Sequence, residues 1–118
     1  MLFLRTFTKS LSHALRGLAT LFRSQRNARI HLVIAIAVIG AGFLFKIYPG
    51  EWLAVVLCIA LVLSMEAINT ALELLADALH PDHHPLVGKA KDVAAGAVLL
   101  CALASVAVGA IIFLPKAF

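Results

Sequence analysis

Charge is scarce in this chain: of 118 residues only 14% are charged and six are acidic, against 63% hydrophobic. With a mean hydropathy of +1.02, that composition excludes a water-soluble globular domain and places the chain in the integral-membrane class. The length permits one small domain, residues 1–118. Cysteine is nearly absent too. Cys58 and Cys101 lie far apart in apolar runs without metal-ligand spacing, so both read as small buried hydrophobes. There is no glycine-rich phosphate loop: Gly88 and Lys89 have no glycine five residues upstream and no Ser or Thr following, which excludes a P-loop nucleotide fold. No nucleic-acid motif accompanies the net charge of +4. Finally, no Asp or Glu precedes Glu51.

What is there, first, is hydrocarbon length. About 20 apolar residues cross a bilayer, and three stretches qualify, with spans placed at 30–47, 52–78 and 87–114. Residues 1–24 differ in kind. Leu4, Phe7, Leu11, Leu15 and Leu18 recur at helical spacing while Arg5, Lys9, Ser12 and Arg16 hold the opposite face, which predicts an amphipathic helix lying on a membrane surface. The expected class is therefore all-α integral membrane, an N-terminal surface helix plus three transmembrane helices. Tyr48, Pro49 and Gly50 mark one turn, with Trp52 as an interfacial anchor. Pro81, Pro85 and Gly88 end the second span near Leu79 and start the third after Pro85. Six basic residues precede the first span and Lys89 and Lys91 lie between the second and third, leaving Lys46 and Lys116 for the other side. The positive-inside rule then puts the N-terminus and the second connector in the cytoplasm.

The acids are concentrated. Five of the six fall between Glu66 and Asp92. Steps of three, four and four place Glu66, Asn69, Glu73 and Asp77 within an arc of roughly 80° on one helix. An acid in hydrocarbon costs roughly 2.5–3.5 kcal/mol on insertion scales, so such a stripe faces protein, water or a charged ligand. Hydrogen-bonded glue between helices is the plain structural reading, particularly for Asn69. The chemical reading is phosphoryl transfer at the membrane boundary: a carboxylate base (Glu66), a carboxylate for Mg²⁺ (Glu73) and an ammonium for phosphates (Lys91). A cation or proton pathway through an oligomer uses the same groups, but needs polar residues through the outer half of the membrane, where Leu53 to Met65 offers only Ser64. His80, His83 and His84 form a histidine-rich connector that reads as solvated.

The stripe from Glu66 to Asp77 spells E-x-x-N-T-A-x-E-x-x-x-D, and Ala90 to Val98 spells A-K-D-x-A-A-x-A-V. Together they resemble the prokaryotic diacylglycerol kinase family. R-N-x-R-I-H from Arg26 to His31 and H-P-L from His84 to Leu86 look more like its undecaprenol kinase branch. The resemblance covers nearly the whole chain. It implies a homotrimer at the bacterial inner (cytoplasmic) membrane, with sites shared between subunits at the cytoplasmic boundary, transferring the γ-phosphate of ATP to a lipid hydroxyl with Mg²⁺. Position by position, Glu66 is similar to the family's base and Glu73 to its Mg²⁺ ligand. Asn69 and Asp77 match its polar support, and Lys91 and Asp92 its nucleotide-phosphate contacts. Asp82, His83 and His84 match the loop near ATP, and Lys9 a basic residue of the surface helix.

The chain departs from the family pattern at Gln25, which stands where a second metal-binding glutamate is common, and at His13, where a tyrosine is common. An amide oxygen is a weaker Mg²⁺ ligand than a carboxylate, so the departure bears on metal affinity. It also leaves open an inactive, structural relative.

Overall fold

The computed structural model describes residues 1–118 as four helices: α1 (Leu2–Ser24), α2 (Arg26–Leu44), α3 (Pro49–Leu79) and α4 (Pro85–Ala117). The last three are long and apolar enough to cross a membrane. At about 1.5 Å per residue, the 31 residues of α3 span roughly 46 Å, well beyond a hydrocarbon core of about 30 Å. The polar end of α3 therefore continues its apolar helix outside that core.

Only 12 of 118 residues are buried, while Leu53, Leu57, Leu61, Leu100, Val106 and Ile111 are exposed. Water would not tolerate that surface, but lipid tails satisfy it. α3 lies between α2 and α4, whose backbones stay apart, and packs most extensively on α4. Ile47, Val55 and Ile112 form a small core at one end, with Trp52 and Phe113 packed around it.

Local chemistry sets the joints. Gln25 is extended (φ −111°, ψ 114°) and separates α1 from α2. Arg29 closes that joint by donating from Nη1 to the carbonyls of Phe22 and Arg23, both at 2.9 Å, groups that a helix end otherwise leaves unpaired. Only Leu21 of α1 is buried. α2 ends in a Schellman turn: Ile47 N–H donates to the Gly42 carbonyl and Lys46 N–H to the Phe43 carbonyl. Lys46 takes the left-handed conformation there (φ 52°). α3 opens with Pro49 in its first turn and with the Glu51 carboxylate accepting the Tyr48 N–H at 2.9 Å. Lys116 donates to Glu51 at 2.8 Å and ties the end of α4 to the start of α3.

The helix bounds differ from the expected spans. The first begins at Arg26 and ends at Leu44 where 30–47 was expected, and the others run 49–79 and 85–117 against 52–78 and 87–114. Hydropathy finds the lipid-compatible segment, whereas helical hydrogen bonding continues through polar and interfacial turns. The break between Leu79 and Pro85 falls where the prolines place it. Trp52 is half-buried, its ring 4.9 Å from that of Phe43.

Candidate active site

Three polar pairs run along α3 towards its C-terminal end. Deepest is Glu66, only 3% exposed, whose Oε1 stands 3.4 Å from Nε2 of His31 on α2. One turn on, Asn69 Nδ2 donates to Glu73 Oε1 at 3.2 Å. Near the helix end, Lys91 of α4 donates to Asp77 Oδ1 at 2.6 Å. α2, α3 and α4 each contribute, so helix packing rather than a loop fixes the constellation.

Two buried oxygens have no partner, Asn69 Oδ1 and Thr70 Oγ1. Such groups cost about 1–3 kcal/mol unless something donates to them or a cation binds. The amide of Asn69 is already oriented by Glu73, which leaves Oδ1 and the Glu73 carboxylate as adjacent hard oxygen donors. That donor chemistry fits Mg²⁺, which takes oxygen ligands and keeps several waters.

The remaining expected residues stand apart from these pairs. Lys9 lies on the exposed face of α1 beside Arg5 and Ser12. Gln25 is half-buried at the α1–α2 joint. Asp82 and His83 are exposed in the connector, and Asp92 is exposed at the start of α4. None of these five forms a side-chain hydrogen bond or ion pair with the stripe. His84 is engaged in capping α4, its Nδ1 accepting the Leu86 N–H at 3.2 Å, and its ring lies 5.3 Å from that of His80. Nowhere do three His, Cys, Asp or Glu side chains gather as a metal cluster.

Sequence reasoning missed two participants. His31 enters the sequence reading only as the last residue of the R-N-x-R-I-H motif, yet it stands 3.4 Å from the deepest acid. The available signal was that an ionisable side chain inside a membrane segment requires a partner. Thr70 is buried at 3%, and helical spacing alone places it beside Glu66 and Glu73.

Between α2 and α4, on the floor made by α3, lies an open apolar cavity of about 280 Å³. Twelve of its 15 lining residues are hydrophobic, and His31 is the one basic side chain among them. It runs from His31, which stands 3.4 Å from Glu66, past Val38 and Cys58 to Phe113.

This arrangement can be set against known proteins. A family profile described as prokaryotic diacylglycerol kinase matches residues 12–113. The chain belongs to that family. It is 43% identical over 113 residues, 96% of this chain and 92% of the other, to the undecaprenol kinase of Bacillus subtilis. It is 41% identical over 107 residues to a diacylglycerol kinase of Synechocystis, covering 90% of this chain and 61% of that longer protein. With a diacylglycerol kinase of Pseudomonas aeruginosa it shares 27% over 94 residues, 80% of this chain and 76% of that one. Membership of the prokaryotic diacylglycerol kinase family makes the chain a lipid kinase, and the pathway alternative is not favoured.

Proposed function

We propose that this membrane protein is a lipid kinase that transfers the γ-phosphoryl group of ATP to the hydroxyl of a membrane lipid at the cytoplasmic face, with undecaprenol the preferred acceptor and diacylglycerol the close second. One observation carries the reading: Glu66, a buried carboxylic acid, stands 3.4 Å from His31, which lines an apolar cavity, and heads a polar stripe that ends in Asp77 paired with Lys91. A lipid hydroxyl arrives from one side and a water-soluble phosphate donor from the other.

Glu66 takes the hydroxyl proton as the lipid oxygen attacks the γ-phosphorus. The new O–P bond forms, the bond from phosphorus to the β–γ bridging oxygen breaks, and ADP leaves. Lys91 holds the phosphates, with Asp77 keeping its ammonium at the mouth of the site. Glu73 with Asn69 Oδ1 would hold Mg²⁺, with Gln25 as a weaker oxygen donor. The metal, when bound, supplies charge neutralisation on the phosphates. Asp92, Asp82, His83, His84 and Lys9 complete the nucleotide side. Because they stand apart from the stripe within one protomer, the reading includes a homotrimer in which neighbours bring them in. α1 lies on the cytoplasmic membrane surface with Leu4, Phe7, Leu11 and Leu15 inserted, all exposed in the isolated chain.

The test is transfer of labelled γ-phosphate by the purified protein in lipid, with undecaprenol and diacylglycerol offered side by side. Mg²⁺-dependent labelling of either lipid supports the reading, and the ratio between them assigns the acceptor. Labelling of neither by folded, oligomeric protein at saturating Mg²⁺ overturns it.

A further inference from the structure

We infer that His31 is a positioning residue of this reaction: its Nε2 holds the Glu66 carboxylate turned to the apolar cavity between α2 and α4, where the acceptor hydroxyl arrives. The inference rests on the reading of Glu66 as the base and adds a residue on another helix that acts through it.

Three observations converge. The Glu66 side chain is only 4% exposed and has no hydrogen bond, and His31 Nε2 stands 3.4 Å from its Oε1. That separation lies just outside hydrogen-bond distance, and catalytic contacts of this kind are often long without substrate and tighten with it. Second, His31 is half-buried, with 24% of its side chain open, and lines the cavity as its one basic residue. It therefore borders both the carboxylate and the space a hydrocarbon chain would fill. Third, the two groups ride on different helices, α2 and α3, which pack on each other, and Ala28 and Ala35 are buried on α2. Small residues there let the helices approach. The role needs only a hydrogen on Nε2, which the neutral Nε2–H tautomer and the charged ring both supply.

A carboxylate with two unconstrained oxygens rotates about its terminal bond, and only some orientations place a lone pair towards the incoming hydroxyl. A donor fixed on Oε1 leaves Oε2 as the base. Losing such an orienting contact to an ionised group costs on the order of 10- to 100-fold in turnover.

The experiment uses the full-length protein in lipid with labelled ATP, comparing wild type with His31→Phe, His31→Leu and His31→Gln. In the two apolar variants kcat should fall on the order of 10- to 100-fold while the KM for ATP stays within about twofold. His31→Gln, which keeps an N–H donor at similar reach, should recover most of that loss. Oligomer elution and thermal unfolding accompany each variant, and the smaller His31→Leu stands if the aromatic ring does not pack. Apolar variants that keep kcat within about threefold of wild type overturn the inference, as does a His31→Gln variant as slow as His31→Phe. An inactive wild type overturns the kinase reading itself, a different outcome from an active wild type indifferent to His31.

Discussion

Gly42 is the one glycine of the chain at which an added Cβ would meet neighbours within 4 Å, and it gives a prediction that can be worked through. A Cβ added there would lie 2.6 Å from Cη2 and 2.8 Å from Cζ2 of Trp52, and 3.2 Å from Cδ1 of Ile47. Carbon atoms pack best at about 3.5–4.0 Å, so the methyl of Gly42→Ala arrives roughly 1 Å too close to a rigid ring. The ring has little freedom to yield, because Phe43 lies 4.9 Å from its centroid. Overpacking of this kind costs about 1–3 kcal/mol, while alanine returns up to about 1 kcal/mol of helix propensity. The net expectation for Gly42→Ala is a loss of about 0–2 kcal/mol. Gly40→Ala is the internal control: nothing lies within 4 Å of its Cβ, so it gains the propensity alone. The two variants should differ by about 1–3 kcal/mol. Thermal unfolding of both in mixed micelles reads that difference, and fluorescence of the chain's single tryptophan reports the contact directly. Gly42→Ala should shift the Trp52 emission, and Trp52→Phe in the same background should restore stability. Equal stability of the two alanine variants with unchanged Trp52 emission would refute the packing argument.

Other predictions follow from the same coordinates. Lys91→Met should lower kcat/KM for ATP by about tenfold or more in steady-state assays, whereas Asp77→Asn, which leaves the ammonium in place, should change it by no more than about threefold. Gln25→Glu should lower the Mg²⁺ concentration for half-maximal activity, because a carboxylate replaces an amide oxygen; a titration of metal against rate reads this, and an unchanged midpoint removes Gln25 from the metal site. Lys46→Gly should raise the unfolding midpoint, since a side chain at φ 52° costs about 1 kcal/mol that glycine avoids.

Much of this molecule was legible before any coordinates. The three spans follow from apolar length, and the break between α3 and α4 from Pro81 and Pro85, because those signals are local. The stripe of Glu66, Asn69, Glu73 and Asp77 follows from helical periodicity, which α3 keeps without interruption over its 31 residues. What periodicity cannot give is the partner across the helix interface. His31 meets Glu66 and Lys116 meets Glu51, 35 and 65 residues apart in the chain, and such pairings depend on which faces of the helices meet. The roles of Arg29 and His84 were hidden for another reason. Both side chains cap helix ends, and a cap depends on where the backbone stops being helical, a boundary that shifts by residues under weak local preferences. Lys9, Gln25, Asp82, His83 and Asp92 form no side-chain hydrogen bond or ion pair with the stripe, and sequence spacing gives no distance between groups on different helices.

The central claim is that Glu66 is the base of a lipid kinase, and the most direct measurement is the rate of phosphate transfer from labelled ATP to undecaprenol and to diacylglycerol by wild type and Glu66→Gln in the same bilayers. The account predicts labelled lipid from wild type and a loss of about 10²- to 10⁴-fold in the variant, the range for removing a general base, with oligomeric state and ATP binding retained. A Glu66→Gln protein that phosphorylates either lipid at the wild-type rate would contradict it.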